Sequence, residues 1–187
     1  MNPEALIHKY YAEQPELEDI LLRHSRQVAD LALRICQAHP ELDLDQAFIF
    51  EAAMLHDIGI IRCDAPGIKC FGTEPYLRHG QVGGEMLRQE GLPRHARVAE
   101  RHTGAGLPGW LPETLEEQVI CYADKFFSKS RIDHPKDYEG VIRSLSKFGA
   151  EGVERFRRWH EKFGTFLLRQ ATQASPNVAE RKIEGCD

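Results

Sequence analysis

Apolar residues recur at helical spacing along most of this chain, and the alternating pattern of a half-buried strand is scarce. Residues 16–38 show the pattern clearly, with successive apolar positions three, four or seven residues apart. These positions are Leu17, Leu21, Val28, Leu31 and Ile35. Because this spacing puts them on one helical face, the sequence predicts an all-α protein built from packed amphipathic helices.

Breaks in the helical pattern divide the chain into a series of helices within one domain, residues 1–187. The predicted helices cover residues 3–13, 16–38, 44–58, 79–91, 93–102, 113–129, 135–147 and 150–171. We expect the core to span 16–131, followed by C-terminal helices over 135–171 and a polar tail over 174–187. Residues 62–77 hold two prolines and two glycines, which predicts a loop long enough to act as a lid.

The charge of the chain limits its partners. A net charge of −5 argues against a broad nucleic-acid-binding surface, although a small anion can still bind in a locally positive pocket. No apolar run reaches the length of a membrane span, and the first residues lack the pattern of a secretory signal. We therefore expect a cytoplasmic protein that binds neither membranes nor nucleic acid.

The cysteines indicate a reducing compartment. Their number is odd and none are paired in a CxxC motif, which favours free thiols at Cys36, Cys63, Cys70, Cys121 and Cys186. Cys63 and Cys70 share one predicted loop, but their spacing is not typical of a metal site, so a metal or redox role for the pair is the less favoured interpretation.

Several histidines and aspartates lie on or beside apolar faces. His24 fills the missing step of the apolar stripe in residues 16–38, and His56 with Asp57 ends the most apolar helix, whose centre reads AFIFEAAML. A lone inward histidine is most often a satisfied core residue, but a buried carboxylate without a partner is costly. The whole set of inward or bordering donors is His24, His56, Asp57, His79, His102 and Asp124. These donors suit two divalent metals, with Asp57 able to bridge them through its two oxygens.

Residues near these donors carry further expectations. Gly59 is predicted to let the chain turn away after the helix end. Gly83 and Gly84 each cost roughly 1 kcal/mol relative to alanine inside a helix, which indicates close backbone packing there. Glu51 is the only charged residue in AFIFEAAML, and we expect it to face solvent.

The ordered donor set resembles the HD-domain superfamily of metal-dependent phosphohydrolases, of which HDIG is a named variant motif. The segments that carry the resemblance are HDIG, RHGQVGGEML, ERHTGAG and YADKF, within about residues 20–131. The later segments look most like the bacterial HD-domain hydrolases that split diadenosine tetraphosphate symmetrically. They also resemble an uncharacterised HDIG branch that carries a similar ERH-GAG segment.

This resemblance implies an all-helical HD-domain bundle with two divalent metal ions. One ion would be bound by His24, His56, Asp57 and Asp124, and the other by His79 and His102 with Asp57 bridging. Iron or manganese is expected, with magnesium, nickel, cobalt or zinc as alternatives. A metal-bound hydroxide would attack the phosphorus of a small phosphorylated substrate, a nucleotide by preference. A homodimer is left open.

Basic residues are expected to complete the phosphate site. Arg131 fills the arginine position of the diadenosine branch, and Arg62 is a candidate substitute for a lysine that many relatives carry after the HD dipeptide. We assign both a catalytic role. Asp124, Ser128 and Arg131 would share one face if the helix over 113–129 continued. Other cations near in sequence are Lys69, Arg78, Arg101 and Lys125. The segment TGAGLPG is interpreted as a turn, with phosphate binding by its backbone as the alternative.

Two other functions remain open. HD-domain mixed-valence di-iron oxygenases share the donor pattern, but they tend to place a substrate-binding lysine soon after the fourth histidine, and HTGAGLPGW has none. The second alternative is an HD domain that binds a nucleotide as a sensor or scaffold without catalysis, which the complete donor set disfavours.

Overall fold

The computed structural model describes residues 1–104 and 110–164. Within these ranges the chain forms eight α-helices and one small sheet, which confirms the predicted all-α class. The helices are α1 (Pro3–Tyr11), α2 (Pro15–Ala38), α3 (Gln46–Leu55), α4 (His79–Gln89), α5 (Pro93–Arg101), α6 (Leu115–Asp124), α7 (Tyr138–Leu145) and α8 (Ala150–Phe163). None of these helices is long and apolar enough to cross a membrane.

The segment predicted as a loop over 62–77 contains a three-stranded sheet. Its strands are β1 (Cys63–Ala65), β2 (Cys70–Phe71) and β3 (Glu74–Pro75), with β1 in the middle. β1 pairs antiparallel with β2 and parallel with β3. Strands of two or three residues are too short to show a period-two pattern, which is why the sequence did not reveal them.

Helix α6 is shorter than predicted. It ends at Asp124, where the amide of Phe127 bonds to the Asp124 carbonyl at 3.1 Å and tightens the chain into a turn. A common helical face of Asp124, Ser128 and Arg131 required the helix to continue, and this condition is not met. The predicted helix over 150–171 is described only as far as Phe163, and the remainder of it and the tail over 174–187 lie outside the described residues.

The core is centred on α3, whose last four residues are all buried and which packs against α2, α5 and α6. The C-terminal helices join it through an aromatic cluster, in which Tyr122 of α6 packs against Phe156 and Phe163 of α8. The cysteines of the described region are all buried free thiols: Cys36, Cys63, Cys70 and Cys121. Burial raises the pKa of each of these thiols to between about 11 and about 12. They are therefore protonated and inert, as the expectation of free thiols requires.

Glycines allow α4 to approach two neighbouring segments closely. A Cβ atom on Gly59 would overlap the His79 carbonyl and the Gly83 amide, and one on Gly80 would lie 2.6 Å from the Ala99 carbonyl of α5. Gly59 does not have a positive φ, so it is required for close approach and not, as predicted, for a turn. The predicted close packing around Gly83 is confirmed.

Tyr11 fixes the segment that follows α3. This segment is a 3₁₀ turn over Ile58–Arg62, and the fully buried Tyr11 hydroxyl donates to the Ile58 carbonyl at 2.7 Å. The same hydroxyl accepts the amide of Ile61 at 3.1 Å. Helix α1 therefore holds the turn against the core, and with it the end of α3.

Glu51 does not project freely into solvent, contrary to expectation. Its Oε2 lies 3.3 Å from Nε2 of His95 in α5, and only 21% of its side chain is exposed. Glu51 links α3 to α5 and takes no part in the donor cluster.

Candidate metal centre

Helix ends position most of the predicted donors. His24 lies within α2, His56 and Asp57 follow the last residue of α3, His79 begins α4, His102 follows α5, and Asp124 ends α6. All are buried except for Asp124, whose side chain is 15% exposed. Donors from five helices thus meet in the interior, because the close contacts of α4 bring its first residue to the end of α3.

Asp57 lies between two groups of histidines. Its Oδ2 is 3.1 Å from Nε2 of His24 and 3.1 Å from Nε2 of His56. Its Oδ1 is 3.2 Å from Nε2 of His79 and 3.3 Å from Nε2 of His102. Each oxygen of one buried carboxylate therefore faces a different pair of imidazoles.

Asp124 completes the first group. Its Oδ1 lies 3.2 Å from Nε2 of His24 and 3.5 Å from Nε2 of His56. Within each group the donor atoms are all less than 4.8 Å apart, and the groups are His24, His56, Asp57 and Asp124 on one side and Asp57, His79 and His102 on the other. The structure thus brings together all six residues that the sequence singled out as donors.

Backbone carbonyls orient three of the imidazoles. Each Nδ1 lies 2.6 Å from the carbonyl three residues earlier, in the pairs His56 with Ala53, His79 with Tyr76, and His102 with Ala99. A carbonyl can only accept, so each Nδ1 donates its proton. In the neutral ring the Nε2 lone pair is then free and points into the cluster, as metal-binding histidines require.

Several of the donor atoms lack a hydrogen-bond partner within the described part of the chain. Among the described residues, no hydrogen bond of good geometry reaches Nε2 of His24, Nε2 of His56 or either oxygen of Asp57. The Nε2 atoms of His79 and His102 lie only 3.0 Å apart, so two lone pairs would face each other in the neutral rings. A cation between the facing atoms removes both costs, and nitrogen and oxygen donors of this kind suit a divalent metal ion.

The charges of the cluster follow from burial and from its neighbours. Burial raises the pKa of Asp57, but the Lys129 ammonium and His56 outweigh it and hold that pKa well below its usual range. Asp124 behaves in the same way, with Lys125 as its nearest cation. Burial lowers the pKa of His102 to about 4. Both carboxylates are therefore ionised at neutral pH and His102 is neutral, which are the forms that bind metal.

Three further side chains line the site. Lys125 is one of the cations named from the sequence, whereas Lys129 and Tyr76 were not identified. A cavity of about 230 Å³ opens over the cluster, and its walls include Tyr76, Lys125 and Lys129. The Lys129 ammonium forms an ion pair with Oδ2 of Asp57. Lys125 lies 3.1 Å from Oδ2 of Asp124 and donates to the His102 carbonyl at 3.0 Å.

The early end of α6 explains why Lys129 was missed. An uninterrupted helix over 113–129 would direct Lys129 away from Asp124, whereas the turns after Asp124 bring it back to Asp57. Tyr76 follows β3, in the segment predicted as a loop, and its ring stacks on His79 with centroids 4.7 Å apart. A turn signal after Asp124 would have been needed to predict the position of Lys129.

The predicted arginines lie elsewhere. Arg62 is exposed at the end of the Ile58–Arg62 turn, near Tyr10, and does not line the cavity. Arg131 is exposed in a neighbouring groove. Their catalytic roles stay predictions, and the helical continuity that would have placed Arg131 beside Asp124 is absent. Most of TGAGLPG, residues 105–109, lies outside the described residues.

Comparison with known proteins identifies a family and several relatives. Residues 21–128 match the family model described as HD domain. A tRNA (cytidine(56)-2'-O)-methyltransferase of Thermoplasma volcanium is 29% identical over 87% of this chain and 46% of its own length. A protein of the same name from Picrophilus torridus is 29% identical over 81% of this chain and 44% of its length.

A third relative covers more of its own length. An uncharacterised protein of Methanocaldococcus jannaschii is 33% identical over 66% of this chain and 71% of its own length. The chain spans less than half the length of the two named methyltransferases. No solved structure matches the chain.

Proposed function

Because this chain belongs to the HD domain family, we propose that it is a metal-dependent phosphohydrolase acting on a phosphate ester or anhydride of a nucleotide-like substrate. The observation that carries the proposal is the position of Asp57, which presents one oxygen to each of two imidazole groups inside a closed set of buried donors. A bridging carboxylate of this kind is suited to a pair of divalent ions.

The residues present fit such a pair. His24, His56, Asp57 and Asp124 would hold one ion, and His79 and His102 would hold the other together with Asp57. When bound, the two ions supply Lewis acidity, which lowers the pKa of water and stabilises negative charge on phosphoryl oxygens. Four positive charges against two carboxylates leave the centre cationic, so it attracts phosphate although the whole chain is acidic. We favour iron or manganese.

Lys125 and Lys129 complete the phosphate site. Burial lowers the pKa of each ammonium, but Cys121 and Asp124 outweigh it at Lys125, and Asp57 and Tyr76 outweigh it at Lys129. Both pKa values are therefore raised above the usual range, so both lysines are charged. Both line the cavity through which a phosphate must approach. They supply the donors expected of Arg62 and Arg131, and they orient phosphoryl oxygens by charge-assisted hydrogen bonds. Tyr76 closes one wall and limits the access of water to His79.

Methyl transfer, the activity in the names of two relatives, is not our proposal for this chain. The matched region is less than half of each of those proteins, so the named activity belongs to chains about twice as long. The region of this chain that matches them holds the HD domain and its His/Asp donors, which suit metal-assisted hydrolysis of phosphates.

The test combines metal analysis with a screen for phosphate release over nucleoside mono-, di- and triphosphates and dinucleoside polyphosphates. We expect about two divalent ions per chain and metal-dependent phosphate release that D57N abolishes. D64N, which changes an exposed acid in β1, serves as the matched control and keeps full activity. Release that survives in D57N contradicts the mechanism. Substrate oxidation with oxygen uptake, and no phosphate release, would establish the oxygenase instead.

A further inference from the structure

A second, larger cavity adjoins the metal centre. Its volume is about 760 Å³, and Ser128 lines both it and the cavity over the metal centre. We define the basic groove by the four cations in its walls, which are Arg131, Lys136, Arg143 and Lys147. They come from the segment after α6, from α7 and from the 3₁₀ turn after α7. The basic groove is therefore directly adjacent to the cavity over the metal centre.

The charges of the basic groove are poorly compensated. Asp137 is the only carboxylate in its walls, and it already caps α7 by accepting the Gly140 amide at 2.7 Å. Its Oδ1 also lies 3.9 Å from Arg143, most of whose side chain is exposed. Arg131 and Lys147 form no ion pair with any described residue. On a chain with a net charge of −5, this is a local concentration of positive charge that a bound anion would stabilise.

Lys136 connects the groove electrostatically to the metal centre. It is half-buried, and its ammonium donates to the Lys125 carbonyl at 3.5 Å. Burial lowers its pKa, and Lys125, Lys129 and Lys147 lower it further against the opposing effect of Asp124. Lys136 therefore lines the basic groove while it contacts the backbone of Lys125, which lines the cavity over the metal centre.

We propose that the basic groove binds a second phosphate group of the substrate while the scissile phosphate lies at the metal centre. The inference rests on the proposed function for the scissile phosphate, and it narrows the substrate to molecules with at least two phosphates. Guanidinium groups match phosphate oxygens in a bidentate fashion, and a cavity of this size accommodates part of a nucleotide. The second phosphate belongs either to an anhydride chain or to a neighbouring phosphodiester. In both cases the cations of the basic groove contact phosphate oxygens.

The test measures binding of inorganic tripolyphosphate and of orthophosphate to the metal-loaded chain by calorimetry. The variant R131A/K147A removes two groove cations, and K9A/R26A removes the same charge from exposed positions on α1 and α2. We expect R131A/K147A to weaken tripolyphosphate at least about tenfold more than orthophosphate. The control K9A/R26A changes neither affinity. Equal losses for both anions, or none for either, would overturn the proposal.

Two further measurements separate the outcomes. The first is the KM of a nucleoside triphosphate and of a 5′-phosphorylated dinucleotide, each measured with R131A/K147A and with the unaltered chain. The substrate whose KM rises more in the variant identifies the source of the second phosphate, an anhydride chain or a phosphodiester. If the unaltered chain hydrolyses neither compound but R131A/K147A still weakens tripolyphosphate more than orthophosphate, the proposed function is contradicted and phosphate binding by the groove is supported. Turnover of both compounds with KM unaffected by R131A/K147A leaves the function intact and rejects the groove.

Discussion

Asp57 is the residue on which both donor groups depend, because each of its oxygens serves one group. We expect D57N to lose both metal ions, since an amide presents one oxygen and no charge. H79Q changes only the second group, so we expect it to retain about one ion per chain. Metal analysis of the purified variants, with circular dichroism to verify folding, measures the difference. Equal metal content in D57N and H79Q contradicts the shared carboxylate.

Lys129 pairs with Asp57 on the same oxygen that faces His24 and His56. Its ammonium therefore competes electrostatically with a cation in the first group and attracts phosphate from the cavity side. We expect K129M to hold its metal more tightly but to raise the KM of the phosphorylated substrate about tenfold, the loss of one charge-assisted hydrogen bond. Chelator titration and steady-state kinetics measure the two effects. A variant with unchanged KM would exclude Lys129 from the phosphate site.

At this scale the donors were predictable, Lys125 was one of several candidate cations, and Lys129 was not identified. His24 was visible because a polar residue continued an apolar stripe, and His56 with Asp57 because they end an apolar helix. No such contrast marks Lys129, a cation among polar neighbours. Its position depends on where α6 stops, and helix ends are set by tertiary contacts and turns that the periodic pattern does not encode.

Close glycine contacts hold α4 in place, and the tightest of them is made by Gly59 in the turn after α3. We expect G59A to reduce the free energy of unfolding by about 1–3 kcal/mol, because the added methyl group meets backbone and not a movable side chain. The same change displaces His79 and lowers the metal content. G152A in α8 is the control, since nothing lies within 4 Å of its Cβ position. Urea denaturation that shows equal stability for both variants would contradict the packing described.

The junction of α6 and α8 should respond to pH. Tyr122 and His160 are hydrogen-bonded, with the hydroxyl 2.7 Å from Nδ1, and Tyr138 also packs on His160. Burial lowers the pKa of His160 below 6.5, against a smaller opposing effect of Glu161. The unfolded chain thus binds this proton more readily, so the stabilisation is present above pH 6.5 and is lost as the pH falls below it.

The variant H160Q isolates this contribution from those of the other histidines. We expect it to lose less stability than the unaltered chain between pH 7.5 and pH 5.5, measured as the shift in the urea midpoint. An identical shift in the two proteins would show that the neutral His160 does not stabilise the junction.

Element by element, the sequence predicted the helices and missed the sheet. Long amphipathic stripes such as that of α2 are repeated over several turns, and each repeat strengthens the signal. β1, β2 and β3 pair over only two or three residues each, as Cys63 does with Glu74, and so short a strand shows no periodic pattern. Gly83 was informative because a helix that tolerates a glycine indicates close contact.

For the molecule as a whole, ion binding and folding should be coupled. The donors come from α2 through α6, so they meet only in the folded chain, and an ion that binds there stabilises the native state. We expect removal of metal with a chelator to lower the melting temperature and added manganese to restore it. In D57N neither treatment should change it. A melting temperature that is independent of metal in the unaltered chain contradicts the coupling.

The carbonyls that orient His56, His79 and His102 have a consequence for which ion the protein carries. Rings that nearby backbone carbonyls hold in place do not rely on a particular ionic radius to arrange them. Imidazole and carboxylate also lack the softness by which thiolates discriminate among transition elements. The identity of the bound ion should therefore follow its availability during growth, and protein from cultures supplemented with different elements should carry different ions in the same six-residue cage.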